Sequence, residues 1–183
     1  MKSFRLSYAV AAALMLASVP AFSQFDSTVG ASDVTLSATV TETLTVTLDN
    51  STVNFTLTPG SATNAGNNTV TPTTAWLLGT GRSSVSLYAY FDDPTSALSN
   101  GTMKIPTSAF SVKNGSNAAQ PFTGVNPFSS GAGVTIFTTA ITDVNRTGSS
   151  APTLNLNIDL SSVPVLGAGT YTGTLHFRAE AIT

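Results

Sequence analysis

An alternating ribbon early in the chain sets the pattern for the whole sequence. Between positions 34 and 48, apolar side chains occupy every even position except 42, and Thr or Ser occupies every odd position. A period of two predicts a β-strand with one apolar and one polar face. The ribbon is longer than the usual strand of about five or six residues, so we expect it to break. Glu42 marks the expected break, because an unpartnered carboxylate that faces a core costs free energy.

The break divides the ribbon into two segments with different expected positions. Residues 44–48 are predicted to form a core strand. Residues 34–40 carry Val34, Leu36, Ala38 and Val40 on one face. Such a face needs an apolar surface to lie on, either in its own domain or in another chain.

The rest of the chain repeats the period of two. Further strands are predicted at 53–57, 69–78, 84–91, 109–112, 134–144, 153–160 and 171–182. The segment 53–57 is expected to form a hairpin with 44–48, and the Gly- and Pro-rich segment 113–133 to be a long loop or to conceal a strand. These strands predict an all-β fold, an antiparallel β-sandwich of about eight strands. A closed barrel is the alternative, although the unequal loop lengths favour the sandwich.

The first residues are typical of an export signal. Lys2 and Arg5 precede an apolar run at 9–19, and the small residues Ala21 and Ser23 follow. We predict a signal peptide at 1–23, a flexible lead at 24–33 and a single domain at 34–183. An uncleaved anchor is the alternative, but the apolar run is short for a membrane span. The mature chain is therefore expected to be exported to the periplasm, the cell surface or the medium, without a membrane span.

Composition narrows the classes of partner and of chemistry. The sequence contains no Cys, which excludes disulfides, thiolate catalysis and cysteine-ligated zinc. Without residues 1–23, five basic residues face nine acidic ones, and the basic residues are scattered singly. Nucleic acid is therefore an unexpected partner, because phosphate binding needs clustered Lys and Arg.

Candidate catalytic and metal-binding residues are few. Gly-x-Ser-x-Gly and phosphate-loop motifs are absent, and His176 is the single imidazole in the sequence. Asp92 and Asp93 can be combined with Asp143 or Asp159 into a calcium site, but a turn with side-chain hydrogen bonds is the preferred interpretation. We therefore predict no enzymatic activity and no catalytic, cofactor-binding or metal-binding residue.

Three aromatic residues support an alternative function. Tyr88 and Tyr90 share one face of the strand predicted at 84–91, and Trp76 can lie on a neighbouring strand. Exposed together, these rings would form a stacking platform for a glycan; buried together, they would belong to the core. A carbohydrate-binding β-sandwich module is therefore the alternative function.

Several short runs resemble a known group of exported proteins. They are ATV at 38–40, LTV at 44–46, Asn54 with Phe55, and GTYTGTL at 169–175. Together these runs resemble bacterial Ig-like surface domains, in particular pilus subunits of the chaperone and usher type and spore coat protein U-like domains. Leu44 stands where those families usually have a Cys, and Thr56 stands where they have a Gly.

The resemblance implies an Ig-like sandwich and assembly by donor-strand exchange. In that process an apolar, alternating arm fills a groove in the next subunit. Residues 34–40 would be the assembly strand, with Val34, Leu36, Ala38 and Val40 facing the groove. We therefore expect a structural or adhesive protein of the cell envelope, which associates with itself or with other envelope proteins. A first strand that pairs within its own domain remains the alternative.

Overall fold

The computed structural model describes residues 34–163 and 165–183. The predicted signal peptide at 1–23 and the predicted lead at 24–33 lie outside the described residues. Within the described ranges, no helix is long and apolar enough to cross a membrane.

The chain divides into two units by its contacts. Val40–Thr183 forms one compact unit that includes every described strand. The other unit is Met1–Thr39, and its described part, 34–39, includes no strand. The compact unit begins at Val40; that the domain begins at residue 34 stays a prediction.

Short strands make up the compact unit. They are β1 (Thr43–Leu48), β2 (Asn64–Ala65), β3 (Pro72–Leu77), β4 (Ser84–Tyr90), β5 (Leu98–Ser99), β6 (Lys104–Ile105), β7 (Phe110–Asn114), β8 (Gln120–Pro121), β9 (Gly124–Asn126), β10 (Ser129–Ala140), β11 (Thr147–Ser150), β12 (Leu154–Ile158) and β13 (His176–Ile182). A single turn of 3-10 helix, Thr107–Ala109, precedes β7. Among the described residues, eight strands have four or more residues and five are shorter. The longer strands thus match the predicted number of about eight.

Three sheets and one hairpin arise from these strands. The front sheet has the order β13-β4-β10-β9, the back sheet β2-β12-β7-β8 and the side sheet β1-β3-β11, while β5 pairs with β6. All of these pairs are antiparallel. The front and back sheets contribute side chains to one main core, which confirms the predicted antiparallel β-sandwich.

Alternate positions of the long strands fill the main core. Leu87 on β4 and Leu154 and Ile158 on β12 are fully buried. Asn155, between the two buried β12 residues, is exposed. Each such apolar side chain contributes about 1.5–3 kcal/mol on burial. Because the chain has no Cys, this burial stabilises the fold without any disulfide.

A bulge in β10 lets this strand contribute side chains to two apolar clusters. The register against β4 shifts between Thr135 and Phe137. Val134 and Ile136 face the main core, whereas Phe137 packs against both the main core and a second cluster. An extra residue in a strand shifts the alternation of its faces. The inward parity of β10 therefore changes along its length.

The second cluster joins the side sheet to the front sheet. It consists of Trp76, Leu78, Val85 and Ile141. The Trp76 indole N–H donates to the carbonyl of Asn145 at 3.0 Å. The rim of the ring lies against Gly148, where an added Cβ would come within 2.8 Å of Trp76 Cζ2.

Two regions differ from the sequence predictions. The strand β11 was not expected, because the run 147–150 is entirely polar or glycine and resembles a turn. It forms because β3 offers backbone partners from Leu77 to Thr74. The segment 113–133, predicted as a long loop or a concealed strand, contains β8, β9 and the beginning of β10.

The ribbon breaks at Glu42, as the sequence predicts, and β1 begins at Thr43. The Glu42 carboxylate accepts a hydrogen bond from the Gly79 N–H and forms an ion pair with Arg82 at 2.8 Å. Hydrogen bonds from Arg82 and then from Gly79 lower the pKa of Glu42 from its ordinary value. The carboxylate is thus partnered at the surface, which explains its position on the apolar parity.

The prediction that 44–48 belongs wholly to the core is wrong at its end. Leu44 and Val46 are half-buried and pack against the two clusters. Leu48 is 43% exposed, because β1 is an edge strand and its last residue borders an open groove.

Truncation of a core side chain tests this account of the sandwich. We expect Leu87→Ala to lower the free energy of unfolding by about 2–5 kcal/mol, because it removes buried methyl groups and leaves a cavity. Urea unfolding of the purified protein measures the change. Val144, 94% exposed, provides the control: Val144→Ala should change stability by less than about 0.5 kcal/mol. Equal effects of the two substitutions would contradict the assigned core.

Candidate functional site

The sandwich is open along one side, where a groove reaches the main core. The larger part of the groove has a volume of about 740 Å³, and a smaller part of about 230 Å³ continues it. Residues 52–57 line one side, here named the first wall. Residues 166–175 line the other side, named the second wall.

The first wall is not the strand that the sequence predicts. Its residues lie in no strand and form no hairpin with β1; a single bridge joins Phe55 to Gly66. Asn54 exchanges two hydrogen bonds with Asn67, one from each backbone N–H, at 2.8 and 2.9 Å. Among the described residues, no partner is seen for the backbone N–H groups of Val53 and Leu57. The wall therefore pairs on the side away from the groove.

Asn64 holds the end of the first wall against the back sheet. Its side chain accepts a hydrogen bond from the Thr58 N–H at 2.7 Å. The same amide donates to the carbonyls of Ser61 and Ile158, at 3.1 and 2.9 Å. Asn64 is only 3% exposed, and its amide joins Thr58, next to the first wall, to Ile158 of the back sheet. The Ser61 carbonyl also accepts a hydrogen bond from the Leu160 N–H.

The second wall also forms less strand pairing than the sequence predicts. Of the strand expected at 171–182, only β13 forms; before it, Thr172 exchanges two backbone hydrogen bonds with Ser99, at 2.9 and 3.0 Å. In the described part of the chain, the N–H groups of Tyr171 and Gly173 have no partner. A Cβ on Gly173 would lie 1.8 Å from the Ala97 carbonyl oxygen. Only glycine allows this close approach between the second wall and Ala97, the residue immediately before β5.

Apolar side chains form the floor of the groove. They are half-buried and pack against the main core: Val53, Phe55, Leu57, Leu98, Leu166, Tyr171, Leu175 and Phe177. Phe55 meets Phe110 edge to face, with ring centroids 5.9 Å apart. None of the described lining residues is charged. The groove therefore leaves part of the main core uncovered.

The two walls run in opposite directions. The first wall passes from the smaller part of the groove, near Ser51, to the larger part, near Pro59. The second wall passes from Leu166 in the larger part to Leu175 in the smaller part. A strand laid between them would be parallel to one wall and antiparallel to the other, and either arrangement forms ladder hydrogen bonds.

The predicted assembly strand belongs to no described strand. Val34, Leu36 and Val40 are 80%, 89% and 77% exposed, and Ala38 is exposed as well. Their apolar alternation therefore has no strand partner in the described chain.

The structure brings together two of the three residues predicted as a ligand platform. Tyr88 and Tyr90 lie on β4, where Tyr90 stacks with His176 and with Phe128, at centroid distances of 5.2 and 5.9 Å. Tyr88 meets Phe128 edge to face at 5.8 Å. Trp76 lies apart from them in the second cluster. The rings largely cover one another, and Phe128 was not part of the predicted platform.

The carboxylates considered for calcium are separated. Asp92 lies 3.2 Å from the Nε2 of His176, whereas Asp93 accepts hydrogen bonds within its own turn. Asp143 pairs with an arginine and Asp159 binds a serine two residues on. Among the described residues, no group of three or more acidic or His side chains converges as a metal site.

Comparison with known proteins leaves the groove to be interpreted from its own chemistry. No family model, no curated protein and no solved structure matches the chain. The groove is the feature that distinguishes this sandwich from a closed one, because it exposes core side chains beside unpaired backbone.

Asn64 offers a test of how the first wall is held. We expect Asn64→Ala to destabilise the protein by about 2–3 kcal/mol, because it removes the buried hydrogen bond to the Ile158 carbonyl and the hydrogen bond from the Thr58 N–H. Urea unfolding measures the loss. Asn68 is exposed, and its side chain forms no hydrogen bond among the described residues, so Asn68→Ala is the matched control. A loss no larger than that of the control would show that Asn64 does not hold the wall.

Proposed function

We propose that the protein is an exported, non-catalytic structural protein of the cell envelope, which assembles with further copies by strand insertion. The groove carries this proposal, because its two walls present unpaired backbone groups above an apolar floor. A β-strand with alternate apolar side chains satisfies both requirements at once. Its backbone would pair with the walls, and its side chains would complete the core.

A peptide backbone suits the groove better than a small molecule. Unpaired N–H and C=O groups along a strand edge need partners that repeat at the strand spacing. Another strand supplies them in register, and a strand matching the six residues 52–57 would span roughly 20 Å.

Residues 34–40 have the chemistry of the occupant. They place Val34, Leu36, Ala38 and Val40 on one face, with no charged residue among them. Three of these side chains are more than three-quarters exposed, and clustered exposed apolar residues mark interaction surfaces. Seven residues in a strand extend roughly 23 Å, enough to cover the first wall.

Chain length favours insertion into a second copy. The groove begins beside Leu48, about 17 Å along β1 from Thr43 at the strand spacing. Turning back from Thr43, Val40 would reach at most about 10 Å and Ala38 about 17 Å. Val40 would therefore stop short of its own groove, and Ala38 would reach only the edge of it. A neighbouring copy has no such limit.

Light scattering on the mature protein tests assembly. We expect the wild type to form oligomers, and a variant that begins at Glu42 to be monomeric with unchanged urea unfolding. Leu36→Asn should weaken assembly, because it places a polar side chain on the inserted face. Ser37→Asn is the matched control on the opposite face and should assemble normally. Oligomers of the shortened variant that match the wild type would refute the proposal.

A synthetic peptide of residues 33–41 tests the groove directly. The full-length Leu36→Asn variant serves as the receiver, and fluorescence anisotropy of the labelled peptide measures binding. We expect saturable binding with one peptide per chain. A control peptide with Asn at positions 36 and 40 should bind at least about tenfold more weakly, since two apolar side chains are lost. Equal affinity of the two peptides would exclude recognition of the apolar face.

A further inference from the structure

The sulfur of Met103 lies directly against the second wall. The Gly167 N–H donates a hydrogen bond to Met103 Sδ at 3.0 Å. The Tyr171 hydroxyl lies 3.6 Å from the same sulfur and donates its proton to the Gly167 carbonyl at 3.0 Å. These three residues form a clasp, named here the methionine clasp, at the wide end of the groove.

The hairpin that carries Met103 is itself attached to the wall. Its strands, β5 and β6, flank the turn, where Asn100 accepts hydrogen bonds from the Met103 and Thr102 N–H groups. Ser99, at the end of β5, makes the paired bonds to Thr172. The hairpin therefore braces the second wall at two points, and one of them depends on a thioether.

Met103 is chemically distinct in this chain. It is the single methionine of the described residues, and the sequence has no Cys. Its side chain is half-buried at the surface, so a small oxidant can approach the sulfur. Methionine thioethers are oxidised reversibly to sulfoxides, and the product is polar. No other thioether or thiol of the described chain competes for the oxidant.

We propose that Met103 is an oxidation site for hydrogen peroxide and that its oxidation loosens the groove. A lone pair on Sδ attacks one peroxide oxygen, the O–O bond breaks, and a proton transfer releases water. The sulfur is oxidised to the sulfoxide and the peroxide is reduced. The part of this proposal that concerns strand binding rests on the proposed function; the part that concerns the wall does not.

The geometry of the clasp explains why oxidation moves the wall. With the Gly167 nitrogen 3.0 Å from Sδ, no space remains for an oxygen atom between them. An N–H···O bond itself needs about 2.7–3.2 Å between nitrogen and oxygen. If the oxygen adds to the lone pair that faces Gly167, the amide must retreat to bind it. If the oxygen adds to the other lone pair, the amide faces a sulfoxide sulfur, which is a much poorer acceptor than a thioether. In both cases the contact that holds the segment with Leu166 and Tyr171, on the groove floor, is weakened.

Peroxide treatment of the full-length Leu36→Asn variant tests the proposal. Peptide mapping should show one added oxygen on Met103. Affinity for the 33–41 peptide should then fall about three- to tenfold, the scale of one lost hydrogen bond. Methionine sulfoxide reductase should restore it. Met103→Leu, added to the same variant, is the control, and peroxide should leave its affinity unchanged.

The Gly167 amide provides a readout that does not depend on strand binding. By NMR without peptide, oxidation should shift the Gly167 and Tyr171 amide signals and speed their hydrogen exchange. If no peptide binds before oxidation, the proposed function fails, and these signals still decide the role of Met103. Full oxidation with unchanged amide signals would overturn the proposal. So would resistance of Met103 at peroxide concentrations that oxidise free methionine.

Discussion

Pairing of the backbone along the edge of the core is the constraint on which this structure depends. The front and back sheets bury their apolar faces against each other, and every strand edge above that core must find partners or stay in water. On most sides neighbouring strands provide them. At the groove, the first and second walls lie beside the core but do not form backbone hydrogen bonds with each other. If the groove closed without water or a further strand, the backbone N–H groups of its walls would have no hydrogen-bond partner. Each such group would cost about 1–3 kcal/mol of stability.

The same need for backbone pairing relates the groove to the predicted assembly strand at 34–40, the arm of each copy. The chain exposes an apolar, alternating segment that lacks a strand partner among the described residues, and it also exposes a groove that lacks a strand. In the proposed assembly, each copy would provide one arm and receive another. Such an interface joins two different surfaces, so it continues from copy to copy unless the rotation between copies closes a ring.

Local signals in the sequence predicted the faces of strands well and their partners poorly. The segment 53–57 does direct Val53, Phe55 and Leu57 inward, as the alternation indicates, yet it forms no hairpin. The segment 171–175 behaves alike, with Tyr171 and Leu175 on the groove floor. Alternation reports which side chains are buried, whereas pairing depends on what lies beside the backbone. The opposite error occurs at β11, a polar segment that becomes a strand because β3 lies next to it.

The sequence by itself determined the fold class, the break at Glu42 and the alternation of the arm, because each follows from the period and charge of neighbouring residues. It also indicated that Tyr88 and Tyr90 share a face. Only the tertiary structure decided that the sandwich is open on one side and that Trp76 belongs to a separate cluster. The groove and the methionine clasp join residues that are far apart in the chain. Contacts of that kind depend on how the sheets pack, and no local pattern encodes them.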